Sequence, residues 1–311
     1  MGIRIAVIGV GYLGRHHARL LASLPKASLA GVVDADPERS AAVAAEFGTR
    51  AYRSLEDLPR DVRAVTVAVP TEAHHAVSLA CLERGWDLMV EKPLAASMEE
   101  GREIVEAAEK RGAVLQVGHT ERYNPAVRSS VPRIRRPLFV EAHRLGTFTP
   151  RSLDIDVIQD LMIHDLDLVR SLDPSPVATV AAVGVRALTD KMDIANARIR
   201  FESGCVANLT ASRISTDRVR KIRIFQADSY ISIDTAEQEV AHYRLDLGGE
   251  GRPRILNDPV SVEKGEPLKV ELSSFLDAVG ARSRPIVSGR DGLAALDLAE
   301  RVRKAIQEGG S

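Results

Sequence analysis

The sequence has little cysteine, no long hydrophobic run and almost no net charge. Its two cysteines, Cys81 and Cys205, stand in no C-x-x-C or metal-ligand spacing, so we expect no metal site and a reducing compartment. No apolar run approaches the roughly 18 residues that a membrane-spanning helix needs. The formal net charge of −1 provides no basic field that would attract nucleic acid. With no signal-peptide cleavage pattern near the start, we expect a cytoplasmic protein whose partners include neither membrane nor nucleic acid.

The chain does contain a glycine-rich turn directly after its first apolar stretch. Gly9, Gly11 and Gly14 have the spacing G-x-G-x-x-G. In a Rossmann fold the first glycine allows a tight turn, the second lets the backbone approach a pyrophosphate, and the third lets the next helix pack on the strand. That helix points its free N–H groups at the phosphates. We therefore expect the turn, with Tyr12 and Leu13 at the start of the helix, to bind a dinucleotide.

Asp34 follows a second apolar stretch, residues 29–33, and lies twenty positions beyond Gly14. A carboxylate at this spacing accepts hydrogen bonds from the adenosine ribose hydroxyls and repels a 2′-phosphate, which predicts NAD rather than NADP. Two alternatives stay open. Asp34 could cap the helix that begins near Pro37, and Arg39 could attract a 2′-phosphate.

The hydrophobic pattern changes near His119 and predicts two kinds of sheet. Before it, short β-branched stretches alternate with helical patterns, which is typical of a parallel sheet covered on both faces. The predicted strands there are 3–8, 29–33, 64–69, 87–90 and 114–117, and the predicted helices are 14–24, 37–47, 73–84 and 97–111. After it, successive strands predict an antiparallel sheet. These strands are 137–145, 177–186, 194–201, 205–212, 221–227, 229–233 and 239–244, with helices at 157–172, 267–280 and 291–307.

The predicted fold class is therefore α/β, with two domains. Residues 1–122 form a Rossmann domain with a doubly wound parallel sheet that binds NAD. Residues 123–311 form an α+β domain with a largely antiparallel open sheet, which we expect to bind substrate and to form an oligomer.

Two polar motifs stand at predicted strand ends, where ligands bind in doubly wound sheets. They are P-T-E-A-H at residues 70–74 and E-K-P at residues 91–93. A lysine at such an end can reach a nicotinamide ribose and a substrate hydroxyl together. From the residues alone, a surface ion pair between Glu91 and Lys92 is an equally good interpretation.

A third candidate lies in the predicted helix 157–172, where Asp160 and His164 are spaced i, i+4 and share one face. Histidine can take a proton from an alcohol as hydride leaves the carbon, and a carboxylate one turn away would orient it. A plain solvated stripe explains the spacing as well. Asp165 falls on the apolar side, where an ionised group needs a partner, so we expect a structural role that joins the two domains.

Together these motifs resemble the Gfo/Idh/MocA oxidoreductase family. The likeness rests on G-x-G-x-x-G, residues 70–74, E-K-P, the segment from Val117 to Arg122, and D-x-x-x-H at residues 160–164. It implies that His164 is the general acid/base and that Lys92 positions or polarises the reacting hydroxyl. It also implies that Asp160 keeps His164 and Lys92 in the correct orientation. The cofactor residues are then Gly9, Gly11, Tyr12, Leu13, Gly14, Asp34, Pro70, Thr71, His74, Glu91 and Lys92.

The chain departs from the family pattern around D-x-x-x-H. Many members have glycines just before this aspartate and shortly before this histidine, whereas this chain has Val157-Ile158-Gln159 and Ile163. We expect the bulkier side chains to reshape the substrate pocket. An inositol or free-hexose substrate is therefore not implied.

Residues 122–126 and 156–165 resemble the branch of the family that includes UDP-N-acetylglucosamine 3-dehydrogenases. That resemblance implies NAD-dependent oxidation at C3 of a UDP-linked amino sugar. It places Arg122, Tyr123 and Asn124 at the substrate, although Arg122 and Asn124 could equally join the domains. It also implies a homodimer or homotetramer.

Two other functions stay open from the sequence. One is an inositol, polyol or simple aldose dehydrogenase, for which UDP alone would not compete with the substrate. The other is a non-catalytic NAD-binding regulator of the same fold. The presence of Lys92, Asp160 and His164 together argues against the regulator, because a sensor has no evident need for all three.

Overall fold

The structure is a computed structural model that describes residues 2–149, 155–246 and 253–309. The chain forms two compact units. The first unit consists of Met1–Thr120 and Leu268–Leu296, and the second of Glu121–Pro267 and Asp297–Ser311. One sheet is parallel and the other is largely antiparallel, which confirms the predicted fold class.

The first unit is built on a six-stranded parallel sheet in the order β3-β2-β1-β4-β5-β6. The strands are β1 (Ile3–Ile8), β2 (Ala27–Val33), β3 (Ala51–Tyr52), β4 (Ala64–Val67), β5 (Asp87–Glu91) and β6 (Leu115–Gly118). The helices are α1 (Tyr12–Ser23), α2 (Pro37–Glu46), α3 (His74–Glu83), α4 (Met98–Arg111) and α7 (Pro267–Ala281). Every residue of β4, β5 and β6 is buried, because helices cover both faces of the sheet.

The strand order brings β1 beside β4, although β2 and β3 lie between them in the chain. The connections therefore run in opposite directions from this point, and ligands bind outside the carboxyl ends of the strands at such a switch point. The glycine turn follows β1, residues 70–74 follow β4 closely, and E-K-P begins at the last residue of β5. The topology thus gathers three of the predicted motifs at one edge of one sheet.

Helix α7 packs against the Rossmann sheet, although the sequence analysis placed it in the second domain. Phe275 and Leu276 of this helix share an apolar cluster with Leu21 of α1 and with Ile5 and Val7 of β1. Fully burying one such side chain stabilises a fold by about 1.5–3 kcal/mol. The amphipathic pattern of a helix shows that one face is buried, but it does not show which element covers that face.

The second unit contains an eight-stranded sheet in the order β14-β13-β12-β11-β7-β10-β9-β8. The strands are β7 (Phe139–Leu145), β8 (Val177–Val185), β9 (Ile194–Phe201), β10 (Val206–Ser212), β11 (Val219–Phe225), β12 (Ser229–Asp234), β13 (Glu239–Asp246) and β14 (Arg254–Asn257). Neighbouring strands are antiparallel except for β7 and β10. Strand β14 is not predicted from the sequence, because all four of its residues are exposed and show no apolar alternation.

One face of this sheet is buried beneath helical segments. Alternate residues of β9, from Ala195 to Phe201, point into the core, and residues 158–172 pack against β10. The helical segments are α5 (Pro125–Ser130), a π-helical turn (Ile158–Met162), α6 (Ile163–Leu172) and α8 (Gly289–Gly309), whose residues 289–296 belong to the first unit. Among the described residues, no helix is long and apolar enough to cross a membrane.

Candidate active site

The glycine turn after β1 is tightly packed on one side and has open space on the other. Gly9 has φ +83°, in the left-handed region that favours glycine. A Cβ on Gly14 would lie 1.8 Å from the Gly9 carbonyl oxygen, so α1 packs directly on the turn. A Cβ on Gly11 would meet nothing within 4 Å, which leaves space for a ligand against the bare backbone. Tyr12 and Leu13, 63% and 40% exposed, begin the helix beside this space.

Asp34 braces the glycine turn from the end of β2. The Val10 N–H donates to Asp34 Oδ2 at 2.7 Å, and the Asp36 N–H donates to Oδ1 at 2.9 Å. Asp36, and not Asp34, is the residue that caps α2, so the alternative of Asp34 as the helix cap is wrong. Arg39 lies between both carboxylates, at 3.3 Å from Asp34 and 3.2 Å from Asp36.

A cavity of about 460 Å³ lies beside Asp34. Its lining includes Asp34, Pro37, Ser40, Tyr52 and Arg53. With the open glycine turn, this cavity gives the end of β2 the room that an adenosine half of NAD needs. The residues present therefore fit the cofactor.

The motif after β4 divides into exposed and buried members. Pro70 is exposed and Thr71 is half-buried, whereas His74 is buried. The ring nitrogens of His74 lie 2.8 Å from the Pro93 carbonyl oxygen and 3.0 Å from that of Val69. Burial lowers the pKa of His74, against the opposing effect of these carbonyls. His74 thus joins two strand ends, while Pro70 and Thr71 stay accessible to a ligand.

Glu91 is buried, so the alternative of a surface ion pair for Glu91 and Lys92 is wrong. Glu91 Oε1 lies 2.9 Å from Nε2 of His17 on α1, and the Lys92 N–H donates to Oε2 at 3.3 Å. Burial by itself raises the pKa of Glu91, but the hydrogen bond from His17 and nearby positive charge outweigh burial and lower it. Lys92 is half-buried, and the Lys92–Pro93 peptide bond is cis.

In the second unit, Asp160 lies in the π-helical turn and His164 in the first turn of α6. Single π turns within helices are frequent at functional sites. Asp160 and His164 are half-buried, but Asp167 on the same face is buried and lies 3.8 Å from the guanidinium of Arg122. A plain solvated stripe does not describe this face.

The start of the π turn is fixed by charged side chains of the same unit. Asp156 Oδ1 accepts hydrogen bonds from the N–H groups of Ile158 and Gln159, and Asp156 Oδ2 lies 2.9 Å from Nε of Arg303. Arg213 donates to the carbonyl oxygen of Ile155 at 2.7 Å. These contacts set where the backbone enters the turn that contains Asp160.

Asp165 has the partner that its burial requires. Arg144 donates to both of its carboxylate oxygens, at 2.9 and 2.8 Å, and to Glu121 at 2.8 Å. Burial alone would lower the pKa of the Arg144 guanidinium. The carboxylates of Asp165 and Glu121 outweigh burial and raise it. These residues all belong to the second unit, so this ion pair of Asp165 lies within that unit rather than joining the two.

The three predicted substrate residues differ in exposure. The side chain of Arg122 is 15% exposed, whereas Tyr123 is fully buried. Asn124 is buried as well: its amide donates to Glu121 and to the Thr235 carbonyl, and its oxygen caps α5. Both side chains are buried in the chain, and Asn124 caps α5, so their predicted contact with substrate stays a prediction.

The bulky residues around D-x-x-x-H are also part of the core. Val157, Ile158 and Ile163 are fully buried, and Gln159 is nearly so. Any effect of these residues on the shape of the substrate pocket, which stays a prediction, would be exerted from within the core. They fill the space beneath the π turn and α6.

No group of three or more His, Cys, Asp or Glu side chains in the described ranges could hold a metal ion. Both cysteines are buried. Burial raises the pKa of the Cys81 thiol to about 12 and that of Cys205 to about 11, so both stay protonated near neutral pH.

His17 was missed by the sequence analysis. It lies on the buried side of α1, among Gly14, Ala18 and Leu21. A histidine in such a position needs a polar partner, which is a signal that the sequence does contain. The sequence does not show that this partner is Glu91, 74 residues away.

Family models and known proteins similar to this chain identify its family. Residues 3–119 match the oxidoreductase family model for an NAD-binding Rossmann fold, and residues 133–231 match the GFO/IDH/MocA C-terminal domain. UDP-N-acetylglucosamine 3-dehydrogenase of Acidithiobacillus ferrooxidans is 40% identical over 98% of this chain and 97% of its own. Its crystal structure superposes with a TM-score of 0.93 at 39% identity, covering 99% of both chains.

A second relative is the NAD-dependent scyllo-inositol 2-dehydrogenase of Bacillus subtilis, 28% identical over 95% of this chain and 92% of its own. These relatives are named as dehydrogenases, which favours an enzyme over a non-catalytic regulator. The chain therefore belongs to the Gfo/Idh/MocA family and is an oxidoreductase with an NAD-binding Rossmann domain.

Proposed function

We propose that the protein oxidises a secondary hydroxyl of a sugar, at C3 of a UDP-linked amino sugar. The observation that carries this proposal is the 40% identity to a UDP-N-acetylglucosamine 3-dehydrogenase along nearly the whole chain. The 28% identity to the inositol dehydrogenase is lower over a similar span. That difference supports a nucleotide sugar over an inositol as the substrate class.

We propose Gly9, Gly11 and Gly14 as the residues that hold the pyrophosphate and Asp34 as the one that holds the adenosine ribose. The open space at Gly11 and the cavity beside Asp34 support this placement. Tyr12, Leu13, Pro70 and Thr71 are accessible at the same edge of the sheet, and we propose them as further cofactor contacts. Glu91 and His74 support this edge from within, because both are buried.

Bound NAD supplies the acceptor for the hydride that leaves the carbinol carbon. In our proposal, His164 takes the hydroxyl proton as the C–H bond breaks, and Asp160 orients the imidazole. Lys92 donates a hydrogen bond to the reacting oxygen. Arg122, held beside Asp167, is the proposed substrate contact among residues 122–124, since the other two are buried.

The exposed face of the eight-stranded sheet supports assembly into a homodimer or homotetramer. Phe139, Phe225, Tyr230 and Tyr243 form a row across four strands, with successive ring centroids 5.8, 4.9 and 6.0 Å apart. The strand end beside this row, at Leu245 and Ile255, is apolar and exposed. Contiguous exposed apolar patches mark interaction sites, and we propose that a second copy covers this one.

Competition by UDP separates the substrate classes. The rate of NADH formation would be measured with UDP-N-acetylglucosamine, and with myo-inositol as the alternative substrate. We expect turnover of the nucleotide sugar and inhibition by UDP that rising sugar concentration relieves. Turnover of myo-inositol without any effect of UDP would support the polyol dehydrogenase instead.

A further inference from the structure

A buried histidine–glutamate pair links the helix after the glycine turn to the strand that precedes the proposed catalytic lysine. His17 is fully buried on α1, and the side chain of Glu91 is 7% exposed at the end of β5. His17 Nε2 lies 2.9 Å from Glu91 Oε1. The next residue after Glu91 is Lys92. The pair therefore connects the cofactor-binding turn and the lysine through one hydrogen bond.

The carboxylate of Glu91 has little freedom to move. One oxygen accepts from His17, and the other accepts from the backbone N–H of Lys92 at 3.3 Å. A Cβ on Gly118 of β6 would lie 2.8 Å from Oε2 and 3.0 Å from Cδ, so the carboxylate rests against this glycine. Because one oxygen bonds His17 and the other bonds the Lys92 N–H, a substitution at His17 that moves this carboxylate also moves the backbone of Lys92.

Burial makes the His17 bond costly to lose. Removing the hydrogen-bond partner of a buried carboxylate leaves that carboxylate uncompensated, whereas exposed pairs contribute little. The same unit offers an exposed pair for comparison: His75 Nε2 lies 2.6 Å from Glu103 Oε2, with side chains 24% and 52% exposed. Without His17, Glu91 would have to move towards water or towards Lys92.

We infer that His17 is a positioning residue for Lys92 and acts through Glu91. This inference rests on the proposed function, in which Lys92 touches the reacting hydroxyl. Displacing a reacting group by about 1 Å can cost a factor of about 100 in rate. His17 itself lies within the core of its unit and touches neither substrate nor cofactor in this account.

The first test separates turnover from cofactor binding. We expect His17→Leu to lower kcat about 100-fold. NAD affinity, measured by calorimetry, should stay within about threefold, because the pyrophosphate is held by the backbone of the turn. His17→Gln, whose amide can donate to Glu91, should restore most of the lost rate. His75→Leu is the matched control and should leave kcat and affinity unchanged. Equal kcat for His17→Leu and the wild type would overturn the inference.

A double-mutant cycle tests whether His17 acts through Glu91, since residues that act as one unit give non-additive effects. We expect Glu91→Gln to lower kcat and His17→Leu to add less than about threefold in that background. A further 100-fold loss would contradict the route through Glu91. In the Glu91→Gln background, His17→Leu leaves no buried charge without a partner. The comparison within that background therefore remains possible if the single His17→Leu protein does not fold.

A readout that needs no substrate keeps the two proposals distinguishable. Lysines would be dimethylated with ¹³C-formaldehyde, and the Lys92 methyl signal would be assigned by its loss in Lys92→Arg. We expect this signal to shift in His17→Leu and to keep its position in His75→Leu. A shift without any sugar oxidation by the wild type would refute the proposed function and retain the positioning role. An unshifted signal would refute the positioning role.

Discussion

The two units hold their candidate site residues in different ways. In the first unit, the glycine turn is shaped by backbone contacts, and its open space exists because Gly11 has no side chain. In the second unit, α6 and the turn before it are held by buried or partly buried charges: Arg144 pairs with Asp165, and Arg303 pairs with Asp156. Substitutions in the glycine turn should therefore act through space and backbone, and substitutions among the ion pairs around α6 should act through uncompensated charge.

The largest effect should come from Lys92, which belongs to the first unit but has a chemical role in our proposal. We expect Lys92→Met to lower kcat by about 10²–10⁴-fold, because the reacting oxygen loses its hydrogen-bond donor. NAD affinity should change little, since the glycine turn is untouched. Stopped-flow measurement of NADH formation, with calorimetry for NAD, checks both. Full activity in this variant would remove Lys92 from the mechanism.

The second-largest effect concerns stability and tests whether buried ion pairs stabilise the second unit. We expect Arg144→Met to lower the free energy of unfolding by about 3–5 kcal/mol, because Asp165 and Glu121 would stay buried without their cation. Urea unfolding measures this loss. Lys264→Met is the control, since Lys264 pairs with Glu239 at 3.8 Å on the surface, and we expect a change within about 0.5 kcal/mol. Similar losses in both variants would show that burial does not decide the effect.

Two glycine substitutions divide packing from binding in the first unit. Gly14→Ala should destabilise the protein by about 1–3 kcal/mol or more, because its Cβ would clash with the Gly9 carbonyl. Gly11→Ala should change stability by less than about 1 kcal/mol, since its φ of −63° suits alanine, but should weaken NAD binding about tenfold. Thermal unfolding and calorimetry give the two quantities. Unchanged NAD affinity in Gly11→Ala would remove the pyrophosphate from this position.

Substitutions on the exposed sheet face of the second unit should have the smallest effect on the fold of the single chain, and should act on assembly instead. We expect Phe225→Glu together with Tyr243→Glu to shift a dimer or tetramer towards the monomer, because charges would enter an apolar contact. Val131→Glu, an exposed residue outside this face, is the control. Light scattering over a concentration series measures the assembly. A wild-type protein that stays monomeric at high concentration would contradict the proposed contact.

Much of the first unit can be predicted from sequence because its signals are local. Each of the five predicted strands there is present, within two residues at either end, and the glycine spacing marks the turn between β1 and α1. The two-residue strand β3 was missed because it is too short to show a pattern. Helix α7 was assigned to the other region, since its partner strand β1 lies more than 250 residues earlier in the chain.

The supports of the candidate site could not be predicted, because they join residues that are distant in the sequence. Arg144 stands 21 residues from Asp165, and His17 stands 74 residues from Glu91. The sequence shows that a buried aspartate or histidine needs a partner, but composition offers many candidates for each. For the same reason Tyr123 and Asn124 looked available for substrate, and only the structure shows that both are buried.

The central claim is that the chain transfers hydride from C3 of a UDP-linked amino sugar to NAD. It is tested most directly by mixing the purified protein with NAD and UDP-N-acetylglucosamine deuterated at C3. Mass spectrometry of the nicotinamide then detects transfer even if the equilibrium is unfavourable. We predict deuterium on the nicotinamide. Absence of label from a protein that is shown to bind both NAD and the nucleotide sugar would contradict the account.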